Sequence, residues 1–511
     1  MSEKATPPDY SGKAGKSSTS CLIAASVAVI VLPTALLLLS VPLYSILASK
    51  AYEAHLREIE AIGESVEIDD LRPPRVANSK DNFAEAPIVR TLREESRDRS
   101  RGGTGSFPLV DALVLDAVPG YEARRISGQK PLVRYVELAP LSQWFPDLES
   151  DRATAEAIVA YCDKHARELD ELLEASRRPR SNLDIAYEDG FAVDFSDLKG
   201  MQDAVKLANH RGRAYLELEK PDKAAESVEL VLRFGEHLGS ECSLIHQLVA
   251  ITFEGMALAT IQEGLRREAW ERPHLDKFDS LLRSRNSAPG FLRAMRMERG
   301  IFIDLMMNLQ TGTSSSMTNL NEFMPDVDIP IRRIPSGWLY DNARKYSEIL
   351  QDNLLTDENG LARTDTLAAG SDMTATFEEL TSSLPRKFRF LLATTALPAY
   401  TGIQTRIVRI QVQRDHVRLA LAIERYRIES GNLPDSLDEL RAFFPGGIPS
   451  DPFTGAPYRY TLEEDSFQIH SVGPNQRDEG GLMKRDLEDG DWVWRLSIPE
   501  DFDYGAYRAS D

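Results

Sequence analysis

Cysteine and histidine are scarce in this chain, which has three cysteines and eight histidines among 511 residues. Three cysteines are too few for a disulfide scaffold, so packing must hold the fold together. No two histidines stand four residues apart, the spacing that places two imidazoles on one helix face for a metal. Neither a Cys-x-x-Cys pair nor a Gly-x-Ser-x-Gly motif occurs. No catalytic motif is therefore recognisable, and the sequence does not reveal an enzyme activity.

Positive charge is also in short supply. Lys and Arg total 60 against 80 Asp and Glu, which gives a formal net charge of −20. Binding to nucleic acid relies on basic residues that displace phosphate counterions, so this balance argues against a nucleic-acid partner. Hydrophobic residues at 42% and charged residues at 27% are ordinary values for a globular protein, which argues against wholesale disorder.

One long apolar run stands near the N terminus, and no charged residue occurs between Lys16 and Lys50. At about 1.5 Å per residue, a helix over 21–48 spans a hydrocarbon core of about 30 Å. We interpret 1–20 as a tail and 21–48 as a transmembrane helix. A cleaved signal peptide is the alternative, but its apolar region is typically about 7 to 15 residues, roughly half the length found here.

The charges that flank this run predict its orientation. Lys4, Lys13 and Lys16 precede it, whereas Lys50 and Arg57 are the basic residues of the next stretch. This slight positive bias places the N terminus in the cytoplasm and the bulk of the chain outside the cytoplasmic membrane. The predicted location is a single-pass protein of that membrane, with the bulk periplasmic or extracytoplasmic.

The remaining chain changes its periodicity along its length. Residues 49–150 predict a helical extension of the membrane helix followed by an irregular linker, with short strands at 112–115 and 132–136. Apolar residues then recur at three- and four-residue steps through 151–400, which predicts an irregular helical bundle. Cys162 and Cys242 lie in this region, either as a disulfide or as two buried thiols.

The sequence pattern changes again after Tyr400. A helix is predicted over 404–430, ending at Gly431, followed by a turn into a short helix after Pro434. Alternating residues at 458–461 and 467–472 predict two short strands. The predicted fold class is α+β, mainly α, with a small C-terminal antiparallel sheet packed on a helix and residues 501–511 as a tail.

Residues 401–500 resemble the soluble domain of the major pseudopilin of type II secretion systems, the protein G family. The matching pieces are a helix with Tyr426 and Gly431, a Leu433-Pro434 step, an Asp451-Pro452-Phe453-x-Gly455-x-Pro457-Tyr458 turn, Ser471-Val472-Gly473, and acidic Gly-rich loops. About 350 residues separate this domain from the membrane segment, whereas a pseudopilin joins the two in one helix. The resemblance therefore implies a pseudopilin-like domain on a different membrane protein, rather than a pilus subunit.

The resemblance also implies a calcium site in the acidic loops. Calcium takes about six to eight oxygen ligands, and flexible glycine turns let the backbone curl around the ion. The candidate ligands are Asn475, Asp478, Asp486 and Asp489. The alternative is a solvated acidic tail without an ion.

Two functions from different classes follow from this organisation. The first is a membrane-anchored envelope protein whose helical and pseudopilin-like regions serve assembly or binding of protein partners. The second is an exported hydrolase in which paired carboxylates of a helical-domain pocket do acid–base chemistry. Two carboxylates facing each other in a closed cleft with shifted pKa values would favour the enzyme, and an open surface would favour binding.

Overall fold

A computed structural model describes the chain in segments. The described residues are 40–121, 140–145, 147–311, 334–355, 374–397, 402–463, 466–482 and 489–496. Of the predicted membrane helix, 21–39 lies outside them, as do the predicted strand at 132–136 and the tail at 501–511.

The described chain is mainly helical, with one small sheet. Helix α1 covers 40–61, and the following α-helices are α2 Ile68–Leu71, α3 Pro87–Ser100, α4 Pro108–Ala112, α5 Asp151–Lys164, α6 Ala166–Ser176, α7 Leu198–Glu217, α8 Pro221–Gly239, α9 Leu244–Arg266, α10 Arg272–Arg283, α11 Ala288–Thr311, α12 Ser336–Leu350, α13 Thr374–Thr381, α14 Leu384–Arg389, α15 Leu391–Ala396 and α16 Ile403–Ser430. Shorter helical turns are Phe83–Glu85, Leu115–Ala117, Leu141–Trp144, Tyr187–Ala192, Gln351–Leu355 and Leu437–Phe443.

The C-terminal sheet has three antiparallel strands, β1 Arg459–Leu462, β2 Phe467–Ser471 and β3 Trp492–Arg495, in the order β1-β2-β3. The structure confirms the two predicted strands and adds β3, which the sequence analysis had not assigned as a strand. Trp492, Val493 and Trp494 are all buried, so this segment lacks the alternation that marks a half-buried strand. Pairing with β2, rather than local pattern, makes it a strand.

Helix α16 joins the sheet to the helical bundle. Gly402 and Gly431 flank it with φ of 76° and 81°, a left-handed conformation that suits a helix end and favours glycine. The predicted 404–430 helix is therefore confirmed, one residue longer at its start. Buried side chains of α16, the sheet and helices α5 to α10 belong to one continuous hydrophobic core. A second core lies around α11, α12 and the start of α16.

The stretch predicted as an irregular linker contains helix α3 and contributes to the main core. Phe83 is fully buried, with its ring centroid 4.9 Å from that of Phe234 and 4.2 Å from that of His237 on α8. The predicted strand at 112–115 is instead the end of α4 and the start of a helical turn. This stretch is held in place by contacts with helices that are distant in the sequence. Local composition does not reveal such contacts.

The predicted helical bundle over 151–400 contains breaks that the apolar spacing does not show. Three- and four-residue spacing continues from α5 into α6, but the helix breaks at His165. Further along, α13, α14 and α15 are short separate helices, and Pro385 lies in the first turn of α14, where proline starts a new helix rather than continuing one.

Helix α9 is long and apolar enough to cross a membrane by length and composition, with a mean hydropathy of 1.5. However, 61% of its apolar 18-residue stretch is buried inside the protein. Its Glu254 and Glu263 are buried and form ion pairs with Arg414 and Arg213. These features are those of a core helix. Cys162 and Cys242 are both buried free thiols, so the disulfide alternative is not observed.

Candidate functional site

The turn that carries the Asp451-Pro452-Phe453 motif is tied to the end of β2. Asp451 is buried, and its Oδ1 accepts hydrogen bonds from the Phe453 N–H and the Ser471 hydroxyl, both at 3.0 Å. Its Oδ2 accepts the Val472 N–H, also at 3.0 Å. One carboxylate thus links two of the motif pieces that carry the pseudopilin resemblance. Its role is structural, since both of its oxygens accept hydrogen bonds from this turn and from β2.

The two acidic loops meet just beyond this point. Gly473 has φ of 71°, and a Cβ added there would lie 2.5 Å from the Gly490 carbonyl oxygen. A side chain at position 473 would therefore push the loops apart. This close approach brings Asp491 towards His470 on the central strand β2.

The predicted calcium ligands fall into two places. The Asn475 side-chain amide donates to Asp489 Oδ1 at 3.0 Å and to Glu479 Oε1 at 2.9 Å. Asp478 instead accepts from Arg459 Nε at 2.9 Å and lies 3.1 Å from His470 Nε2. Asp486 lies outside the described residues. The structure thus brings Asn475 and Asp489 together but directs Asp478 elsewhere.

A second grouping, which no sequence motif indicates, is formed by His470, Asp478 and Asp491. One ligand atom from each lies within 4.8 Å of the others. The Asp491 side chain is fully buried; its Oδ2 accepts the Glu479 and Gly481 N–H groups, while its Oδ1 has no hydrogen-bond partner among the described residues. Asp491 belongs to the acidic loop noted in the sequence, but the approach of His470 depends on pairing of β2 with β3.

Electrostatics distinguishes the two carboxylates of this cluster. The hydrogen bond from Arg459 lowers the pKa of Asp478 to about 2, so Asp478 is ionised at neutral pH. Burial raises the pKa of Asp491 above its usual value. An imidazole nitrogen with two carboxylates suits a first-row divalent metal such as zinc better than calcium, which prefers oxygen ligands only. The described residues around Asp478 therefore fit calcium poorly.

We expect zinc ions to raise the melting temperature of the purified full-length protein by roughly 2–4 °C, because a ligand that binds only the folded chain stabilises it. His470→Gln should remove this response, since the amide is a poor metal ligand. Asp489→Asn serves as the matched control and should keep it. A calcium response lost in Asp489→Asn but kept in His470→Gln would support the calcium site of the resemblance instead. No shift with either metal would contradict both.

The hydrolase alternative requires carboxylates that face a cleft. Burial raises the pKa of Glu241 to about 7 and that of Asp415 to about 6. Glu241 is fully buried and accepts from the Leu183 N–H at 2.7 Å and the Tyr187 hydroxyl at 3.1 Å. Asp415 accepts the Tyr458 hydroxyl at 3.1 Å. These groups serve interior hydrogen bonding, and neither lines the two cavities described below.

Those two cavities differ in size and charge. The larger, of about 660 Å³, lies between the 70–76 loop and α11, and the described residues around it include five arginines and Asp70. The smaller, of about 170 Å³, includes Glu236 and Glu254. Glu254 is already paired with Arg414. Neither cavity presents two free carboxylates for acid–base catalysis.

Comparison with known proteins yields no relative: no protein-family profile matches the chain, and neither a curated protein nor a solved structure is significantly similar to it.

Proposed function

We propose that the protein is a single-pass envelope protein that holds a pseudopilin-like domain in a fixed position beside the membrane, where this domain binds protein partners. The observation that carries this proposal is that apolar side chains are exposed at the start of α1 and buried further along it. Val41, Leu43, Ile46 and Leu47 are exposed, whereas Ala48, Tyr52, His55 and Ile59 are buried against the protein. An exposed apolar start that continues an apolar run is expected where a helix leaves a bilayer.

A second exposed apolar feature lies close to the start of α1. Helix α14 exposes Leu384 and Phe388 by 72% and 69%, with Arg386 and Lys387 also exposed. Apolar side chains next to basic ones are typical of a segment that rests in a membrane interface, where cations meet lipid headgroups.

Asp341 connects the two features. It accepts the Tyr44 hydroxyl of α1 at 2.6 Å and Arg389 Nε of α14 at 2.8 Å. The α12 backbone also approaches α1 closely, because a Cβ at Gly337 would lie 2.7 Å from Ser45 Cα. Helices α1 and α14 therefore belong to one packed unit. This packing supports a helical bundle that is held against the membrane rather than tethered loosely to it.

The C-terminal sheet is fixed to that body as well. Helix α16 pairs Arg414 with Glu254 of α9, and Arg425 with Asp276 and Asp279 of α10. The end of β3 contacts the bundle, since the Gln262 side chain of α9 donates to the Arg495 carbonyl at 2.9 Å. Strand β1 is the other edge of the sheet and is mostly exposed, including Leu462 at 46%. An open strand edge is a common surface for partner binding.

Orientation and partner binding are tested together in cells. An alkaline phosphatase fused to the C terminus should be active, because the proposal places that terminus outside the cytoplasm. A photo-cross-linking amino acid at position 462 should capture a specific envelope protein. Leu462→Asp should reduce copurification of that protein severalfold, because a carboxylate would lie against its apolar contact surface.

Leu482→Asp is the matched control for the partner experiment, since Leu482 is a similarly exposed leucine, at 55%, outside β1. It should leave copurification unchanged. An inactive phosphatase fusion would overturn the orientation. Equal cross-linking from positions 462 and 482, or equal loss of the captured protein in both variants, would overturn the assignment of β1 as the binding edge.

A further inference from the structure

We propose that the cavity of about 660 Å³ between the 70–76 loop and helix α11 binds a small organic anion that carries several carboxylates or phosphates. This site is separate from the membrane-facing surface and from strand β1. Its walls come from four parts of the chain: the end of α2 with the loop after it, the 179–181 turn, the residues that follow α8, and α11.

This cavity is lined mainly by positively charged residues, whereas the protein as a whole is acidic. Five arginines line it, Arg72, Arg75, Arg180, Arg293 and Arg296, together with Asp70 as the acidic residue, although the chain as a whole carries a net charge of −20. Like charges brought together from distant segments repel each other, and an anion bound among them would offset this repulsion.

Two of the five arginines already have carboxylate partners. Arg72 pairs with Asp69 and Glu188, and Arg296 pairs with Glu64. Their side chains are also the less exposed ones, at 32% and 12%. They act as fixed parts of the cavity wall.

The other three arginines are exposed. Within the part of the chain that the structure describes, Arg75, Arg180 and Arg293 form no ion pair with a carboxylate. Arg293 lies beside the Cys242 thiol, whose pKa burial raises to about 11, so this thiol supplies no negative charge at neutral pH. Three guanidinium groups thus remain available to a ligand.

The rest of the lining suits an organic molecule. Pro73, Pro74 and Pro179 give rigid apolar surface, because proline restricts the backbone and has no N–H to solvate. The volume exceeds that of an inorganic ion and falls in the usual range for small-molecule sites, about 300–1,000 Å³.

Guanidinium groups select the ligand chemistry. Arginine donates paired N–H groups that match the two oxygens of a carboxylate or a phosphate. Three arginines without a carboxylate partner therefore favour an anion with at least two such groups. Carboxylate and phosphate share this geometry, so the test includes one ligand of each kind.

Calorimetric titration of the full-length protein in a neutral detergent tests the proposal, with citrate as the carboxylate probe and fructose 1,6-bisphosphate as the phosphate probe. We expect at least one probe to bind more tightly than about 1 mM at low salt. Arg293→Gln and Arg75→Gln should each weaken that binding by about tenfold, because each removes charge-assisted hydrogen bonds. Binding should also weaken as salt is added.

Arg152→Gln is the control, since Arg152 on α5 is exposed, pairs with Glu156 and does not line the cavity. It should bind the probe like the unaltered protein. Arg75 and Arg293 are both exposed, so their variants should keep the melting temperature, and a lowered value would identify a folding defect in one of them. Lack of binding by both probes, or binding that neither cavity variant weakens relative to Arg152→Gln, would overturn the proposal.

Discussion

Arg414→Met is expected to destabilise the contact between helix α16 and the bundle by about 3–5 kcal/mol, the usual cost of removing one partner from a buried ion pair. The Arg414 and Glu254 side chains are each 4% exposed. Arg414 also donates to the Ser287 hydroxyl at 2.8 Å and the Arg285 carbonyl at 3.1 Å. The variant leaves Glu254 buried without its main partner. Hydrogen exchange of the α16 amides measures the expected loss directly.

The same variant should acquire a new pH dependence. Burial works against ionisation of Glu254, but Arg414 outweighs it and the pKa of Glu254 lies below its usual value. Without Arg414, burial remains and the folded-state pKa should rise above the unfolded one. The folded chain then binds the proton more tightly, so stability should fall as the pH rises through that raised pKa.

A double variant separates the ion pair from the rest of the contact. Arg414→Met combined with Glu254→Leu should recover most of the lost stability, since two apolar side chains replace two buried charges. Arg152→Met at an exposed site should change stability by less than about 0.5 kcal/mol. If the double variant exchanges as fast as Arg414→Met alone, the pair is not what fixes α16 to α9.

Glu64→Gln is expected to detach the end of helix α1 from the body, again at a cost of about 3–5 kcal/mol. Glu64 accepts from Arg296 Nε at 2.9 Å and from Arg299 Nη2 at 2.7 Å. Arg299 is fully buried, and burial lowers its pKa. Neutralising Glu64 leaves this guanidinium buried without a negative charge beside it. Hydrogen exchange and limited proteolysis over residues 40–66 should both accelerate.

Glu60→Gln provides the matched control four residues earlier, because Glu60 is exposed near the end of α1. It should leave exchange and proteolysis of α1 unchanged. Equal protection of α1 in the Glu64→Gln variant would contradict the proposal that α1 is rigidly attached to the helical bundle, and a flexible connection would then replace it.

Local features of the C-terminal region were predictable from the sequence. Gly431 predicted the end of α16, and the alternation at 458–461 and 467–472 predicted β1 and β2. These signals are short-range, since glycine conformation and side-chain alternation depend on neighbouring residues. The predicted calcium ligands Asn475 and Asp489 do lie together, but Asp478 faces His470, and no local signal indicated that direction.

The sequence by itself determined that the chain is mainly helical, where the first two strands of the C-terminal sheet lie, and that an apolar segment precedes α1. These features depend on periodicity and on helix ends, which are set by neighbouring residues. Only the tertiary structure decided which charged groups meet. Arg414 and Glu254 are 160 residues apart, and Glu64 and Arg299 are 235 apart. The arginine-lined cavity likewise assembles from four separate segments. Such pairs form only when whole helices pack together. Packing buries a charged side chain, and because an unpaired buried charge is costly, an oppositely charged partner must lie beside it.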